Sequence, residues 1–207
     1  MNMFPYGPFN IPKKDKWVIV GSGPSAENYL DIKDAGIISV GGNICRIENT
    51  TINMQVHFET VFNSIKYFDN AEIIYLCDPM YVGLSCIPIE MRALFDCYYL
   101  ESKFGNKIRK WTRRIEMQKN NIDYSFYAKE TIATAGLELL KINGIKECYF
   151  CGIDGGYGHS KIFQDVECYN DETFRLYSYD TCRKDFLDYA KFLGMEIKEL
   201  KGEKVLC

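Results

Sequence analysis

Gly21-Ser22-Gly23-Pro24-Ser25, directly after the apolar run Trp17–Val20, is the stretch best suited to hold a charged ligand. A short buried strand that runs into a glycine turn and then a helix aims backbone N–H groups at one point. Those groups have no partner inside the helix, and the aligned peptide dipoles add partial positive charge there. Gly21 and Gly23 allow a tight bend and close approach of a ligand, and Pro24 fits a first helical turn, where its missing N–H costs little. The turn predicts a nucleotide phosphate site at the carboxyl end of the first strand; the plainer alternative is a tight turn alone. The spacing Gly21-x-Gly23-x-x-Ala26 also satisfies the dinucleotide fingerprint, which requires an acidic residue about 20 positions further on. The second apolar run, Gly36–Val40, instead ends in Gly41-Gly42-Asn43. An uncharged Asn43 that both donates and accepts suits a ribose or a base edge, not a redox dinucleotide.

A second set of reactive side chains follows another apolar run, Glu147–Cys151, in Gly152-Ile153-Asp154-Gly155-Gly156-Tyr157-Gly158-His159-Ser160. An imidazole titrates near neutrality, so His159, flexibly placed by its glycines, is the leading general base; the alternative is a solvated loop histidine. Asp154 could replace it as base, bind a sugar hydroxyl, or simply form the turn. Tyr157 could donate to a phosphate. His57, beside Phe58, reads as a core or rim residue. Upstream, Thr131 or Thr134 could cap a helix and offer a hydroxyl to a second phosphate or a sugar.

These residues need a scaffold that brings them to one rim. Strands are expected at Trp17–Val20, Gly36–Val40, Met54–Glu59, Glu72–Cys77, Glu147–Gly152 and Gly194–Leu200. Helices are expected at about Ser25–Lys33, Thr60–Asp69, Pro88–Leu100, Glu130–Gly144 and Asp180–Leu193. That alternation predicts one α/β domain over 1–207: an open, mostly parallel, doubly wound Rossmann-like sheet with helices on both faces. In such sheets the ligand lies beyond the carboxyl ends of the strands. The segment 161–177, without a clear period and rich in aromatic residues, is expected to form a small lid. Lys103–Lys119 carries the densest positive charge, either a patch for an anionic ligand or a solvated helix face.

Composition bounds the function. The 207 residues are 47% hydrophobic, enough for a sizeable core, and the net charge of −3 gives no footprint for non-specific nucleic-acid binding. Nine cysteines include one Cys-x-x-Cys pair, Cys148 and Cys151, inside an expected strand, and only His57 and His159 could complete a zinc set, so no metal site is expected. The odd cysteine count and the lack of a signal peptide favour reduced thiols and a cytoplasmic location. No apolar run approaches the roughly 20 residues of a transmembrane helix.

Taken in order, Val18–Ser25, Gly42-Asn43, Thr134-Ala135-Gly136 and Tyr149–Asp154 with Tyr157 and Gly158-His159-Ser160 resemble the bacterial sialyltransferases of the Campylobacter type, glycosyltransferase family 42. The resemblance runs from Trp17 to about Leu200 and implies a GT-A-type fold. It also implies metal-independent, inverting transfer from a CMP-activated sugar, with no cofactor beyond the donor. On that likeness Gly21, Ser22, Gly23, Pro24 and Ser25 meet the donor phosphate and ribose, and Asn43 sits near the cytidine or phosphate. Thr134 and Gly136 hold the sugar carboxylate or phosphate, and Tyr157 aids the departing phosphate. The chain departs from the family in having Ser22 where the family turn has Asn. Its Gly-His-Ser also lies before the lid instead of after it. The same turn and the Thr131–Thr134 pattern also resemble the DUF115 group, which includes archaeal 6-hydroxymethylpterin pyrophosphokinases (MptE-like) and implies ATP and Mg²⁺. A nucleotide-binding module without catalysis is the third reading. Expected partners are a nucleotide sugar, CMP-linked or UDP-linked, and a hydroxyl acceptor on a glycan, a lipid-linked sugar or a modified nucleic-acid base; a homo-oligomer is compatible with the sequence.

Overall fold

The structure, a computed structural model, describes residues 10–56, 58–77, 107–111, 131–163 and 179–201. Their framework is a seven-stranded sheet: β1 (Lys16–Val20), β2 (Ala35–Val40), β3 (Thr50–Gln55), β4 (Ala71–Cys77), β5 (Ile108–Trp111), β6 (Glu147–Cys151) and β7 (Glu196–Glu199). The strand order is β5-β4-β3-β2-β1-β6-β7, and every pairing is parallel. The α-helices are α1 (Phe58–Ser64), α2 (Ala133–Ile142) and α3 (Asp180–Phe192), and a 3-10 helix, Pro24–Asp31, follows β1.

Burial explains why the strands are continuous apolar runs. In β1, Trp17 and Ile19 pack with Leu137 and Leu139 of α2 and Phe186 of α3, whereas Val18 and Val20 pack with Ala26, Ile44 and Phe68 on the other face. A strand covered on both sides has no solvent face to make polar. Each such large apolar side chain contributes about 1.5–3 kcal/mol on full burial. Gly136 brings α2 close to the sheet: a Cβ there would lie 3.3 Å from Ile19 Cδ1 and 3.4 Å from Ile38 Cγ2.

The expected α/β sheet is present, and several boundaries differ. β3 starts four residues before the expected Met54, and α1 occupies what was expected to be the end of that strand. The polar residues Thr50, Thr51, Asn53 and Gln55 are all buried within β3, which hides a strand from a hydrophobicity pattern. The stretch after β1 is a 3-10 helix with Ala26 as its one buried residue, not an α-helix. Part of the basic run is strand β5 paired to β4, not a helix face. His57, the expected helix at Pro88–Leu100, lid residues 164–177 and most of Lys103–Lys119 lie outside the described residues; 161–163 form a 3-10 turn with Phe163 buried.

From β1 the order runs β2 to β5 in one direction and β6, β7 in the other. The reversal between β1 and β6 opens a crevice at their carboxyl ends, where ligands of such sheets bind.

Candidate active site at the strand reversal

The turns that leave β1 and β6 are stitched together. Gly21 N–H donates to the Cys151 carbonyl at 2.9 Å and Gly23 N–H to the Gly152 carbonyl at 2.8 Å. In return, Gly152 N–H donates to Ser25 Oγ at 2.8 Å, and Ser25 N–H donates to Asp154 Oδ2 at 3.0 Å. A Cβ on Gly21 would fall 2.2 Å from the Gly152 oxygen, and one on Gly23 would fall 2.4 Å from Asp154 Oδ2. The glycines are therefore required where two backbones meet. The expectation of free amides at Gly21, Gly23 and Ser25 is corrected: backbone pairing past the strand ends consumes the two glycine amides, and the Asp154 carboxylate takes that of Ser25.

Over this seam lies a cavity of about 190 Å³. Gly21, Ser22 and Gly23 line one side, Gly41 and Gly42 another, with Thr131, Ile132 and Ala133 at the start of α2. Asp154, His159, Tyr179 and Cys182 complete the rim. The amino end of α2 thus borders the cavity. Its first N–H groups are capped locally, Ala133 N–H by Thr131 Oγ1 at 3.2 Å, and its dipole still places partial positive charge at this wall.

His159 is fixed from two directions. Its Nδ1 lies 3.0 Å from Ser22 Oγ, and its ring sits against Tyr179 with centroids 5.6 Å apart. The next residue anchors the loop, because Ser160 N–H donates to the Ser22 carbonyl at 2.8 Å and Ser160 Oγ to Glu27 at 2.9 Å. Burial pushes the His159 pKa below its ordinary value, and the Ser22 backbone opposes that shift. The ring is accordingly neutral at pH 7.

The loop that delivers His159 has left-handed backbone at Gly155, Gly156 and Gly158, with φ of 75°, 69° and 88°, a region that favours glycine. Asp180 at the start of α3 accepts from Gly156 N–H at 2.8 Å. Arg183 one turn on donates to the Ile153 carbonyl at 2.6 Å and grips Glu199 with two bonds of 2.9 and 3.1 Å. On the opposite wall, buried amides hold Gly41, whose φ is 56°. Gln55 Nε2 reaches its carbonyl at 2.8 Å and Asn53 Nδ2 at 3.2 Å.

Of the residues singled out in the sequence, Gly21, Ser22, Gly23, Asp154 and His159 come together at the cavity. Ser25 lies behind them in the seam, and Pro24 is exposed outside the cavity lining. Asn43 is fully buried, and its Nδ2 donates to the Val20 carbonyl at 2.9 Å, so it ties β2 to the end of β1. Thr134 is also fully buried and donates to the Thr131 carbonyl at 2.7 Å; with Gly136 it faces the core, and Thr131 takes the rim position. Tyr157 is 68% exposed and lies outside the cavity lining. Sequence reasoning missed Tyr179, Cys182, Arg183 and the Ser22–His159 pair, the last because its partners are 137 residues apart.

No protein-family model and no curated protein sequence matches the chain. In three dimensions its fold is that of bacterial sialyltransferases. The sialyltransferase CstII of Campylobacter jejuni, solved with a CMP-sugar substrate analogue, superposes with a TM-score of 0.53 at 16% identity, over 94% of this chain and 84% of that one. The same enzyme with a trisaccharide acceptor and CMP gives 0.56 at 16% identity, over 93% and 83%. The monofunctional α-2,3-sialyltransferase Cst-I of C. jejuni gives 0.57 at 15% identity, over 95% and 80%. At such identities the likeness is one of fold. Among the described residues no helix is long and apolar enough to cross a membrane.

Proposed function

We propose that this protein is a glycosyltransferase that moves a sugar from a nucleotide-activated donor, a CMP-sugar by preference, to an acceptor hydroxyl, without a metal ion. The observation that carries the proposal is a half-buried histidine held against Ser22 at the cavity where the sheet order reverses. Support comes from a fold shared with enzymes solved with CMP and an oligosaccharide acceptor.

The chemistry divides among the walls. Glycosyl transfer requires a base for the acceptor proton and an electrostatic partner for the leaving phosphate. His159 is where that proton ends. The amino end of α2, with Thr131 at the rim, faces the phosphate, because partial positive charge there favours an anion. Asp154 is a positioning residue: its carboxylate holds Ser25 N–H and so aligns the two turns. A cytoplasmic location agrees with Cys148 and Cys151, buried thiols pushed up to about 12 chiefly by burial and unsuited to exchange.

Thermal unfolding with CMP, CMP-sialic acid, UDP-sugars, GDP-sugars and ATP, each with and without Mg²⁺, tests the proposal. Stabilisation by CMP compounds without Mg²⁺, with release of CMP from CMP-sialic acid, is the expected result. Stabilisation by ATP and Mg²⁺ alone would refute it.

A further inference from the structure

The Ser22–His159 contact determines which group can meet the acceptor. His159 has two ring nitrogens: Nε2 is shielded from solvent, and Nδ1 points at Ser22 Oγ 3.0 Å away. His159 and Ser22 both line the cavity, and the ring nitrogen that is not shielded is engaged by the Ser22 hydroxyl on the tip of the β1 turn. Both residues are held from behind, since the Ser22 carbonyl accepts Ser160 N–H at 2.8 Å and the His159 ring rests on Tyr179.

We propose that Ser22 and His159 form a proton relay in which the Ser22 hydroxyl, not the imidazole, takes the acceptor's proton. The relay rests on the glycosyl-transfer function proposed above. The acceptor oxygen forms its bond to the donor's anomeric carbon and gives its proton to Ser22 Oγ. Ser22 at the same time passes its own hydroxyl proton to His159 Nδ1. The bond between the anomeric carbon and the phosphate oxygen breaks, and its electron pair leaves with the nucleotide. The products are the new glycoside, the nucleotide monophosphate and an imidazolium, which returns its proton to solvent. The relay requires one tautomer at rest, with Nε2 protonated and Nδ1 bare, because a ring already protonated at Nδ1 cannot accept from Ser22.

Two measurements on the full chain decide it. The first is the ¹⁵N spectrum of histidine-labelled protein at neutral pH; with only two histidines in the chain, a His57→Gln variant assigns the signals. An Nε2-protonated His159 supports the relay, and an Nδ1-protonated ring overturns it, whether or not any donor is turned over. The second is CMP release from CMP-sialic acid with water and a panel of oligosaccharides as acceptors, across pH 5–9. Ser22→Ala is expected to lower the rate about a hundredfold or more, the usual scale of a positioned base, and to abolish the acid limb of the profile. Ser22→Thr, which keeps the hydroxyl, is expected to keep that limb. Adding His159→Gln to Ser22→Ala should cost little more, because groups that act as a unit are not additive. Full activity and an intact acid limb in a Ser22→Ala protein that unfolds at the wild-type temperature would overturn the relay. An Nε2-protonated ring with no nucleotide sugar turned over by the wild type would count against glycosyl transfer and leave the Ser22-to-His159 proton path supported.

Discussion

Replacing Gly21 by alanine separates two explanations of the glycine turn. A Cβ at this position would lie 2.2 Å from the Gly152 oxygen, 2.8 Å from its carbonyl carbon and 2.9 Å from Ile153 Cγ1. Ordinary van der Waals contact starts near 3.4 Å, and two of the three atoms are backbone. The two turns must therefore separate by about 1 Å, which disrupts the bonds Gly21 N–H to Cys151 and Gly23 N–H to Gly152. Overpacking of this kind costs about 1–3 kcal/mol, and each lost hydrogen bond about 1 kcal/mol more. The sum, about 3–5 kcal/mol, corresponds to a fall in Tm of very roughly 6–20 °C for a chain of this size. Differential scanning calorimetry of Gly21→Ala gives the number. Gly144→Ala is the control: its φ is 77°, and nothing lies within 4 Å of a Cβ there. It should lose only about 1 kcal/mol, from backbone strain. If glycine at position 21 served ligand approach alone, Gly21→Ala would unfold within a degree of wild type and lose only nucleotide binding. That result would refute the seam.

His159 links activity and stability to pH in the same direction. Its folded pKa is depressed below the ordinary 6.5 by burial, so the unfolded chain binds the proton more tightly. Its contribution to stability is present above about pH 6.5 and is lost as pH falls through the lowered value. Urea midpoints at pH 7.5 and 5.5 should therefore converge in His159→Gln relative to wild type. Tyr189→Phe removes a 2.7 Å bond to the carboxylate of the fully buried Glu138 between α2 and α3, and should cost about 1–3 kcal/mol in chemical denaturation. Cys148 and Cys151 should resist iodoacetamide at pH 8 in the folded protein and react on unfolding; mass spectrometry of the labelled peptides reads this directly.

The sheet was legible where burial and hydrophobicity coincide. β1, β2, β4 and β6 are apolar runs, and α2 showed as Ile132, Ala135, Leu139 and Ile142 at helical spacing, although every residue from Ala133 to Leu140 is buried. β3 was displaced because Asn53 and Gln55 donate their side-chain N–H groups to Ser39, Gly41 and Ser64 inside the fold, and no pattern along the chain shows such partners. β5 was missed because its charged residues mark it as polar. Arg109 in fact bonds Tyr75 Oη at 3.2 Å from β4, which makes the position a strand. At the site, the turn and His159 were visible as residue types. The sequence reading assigned ligands to Asn43, Thr134 and Gly136, which the fold uses for packing and internal hydrogen bonds. The difference lies in contacts between distant parts of the chain, which local spacing does not encode.

That distance has a consequence for biosynthesis. Ser25 meets Gly152 across 127 residues, and Ser22 meets His159 across 137. Before β6 docks beside β1, the amino-terminal half lacks the Cys151, Gly152 and Asp154 partners of its glycine turn, and lacks His159. The cavity and its Ser22–His159 contact come into being only when β6 and its loop dock, so truncated or stalled products carry half of the candidate site.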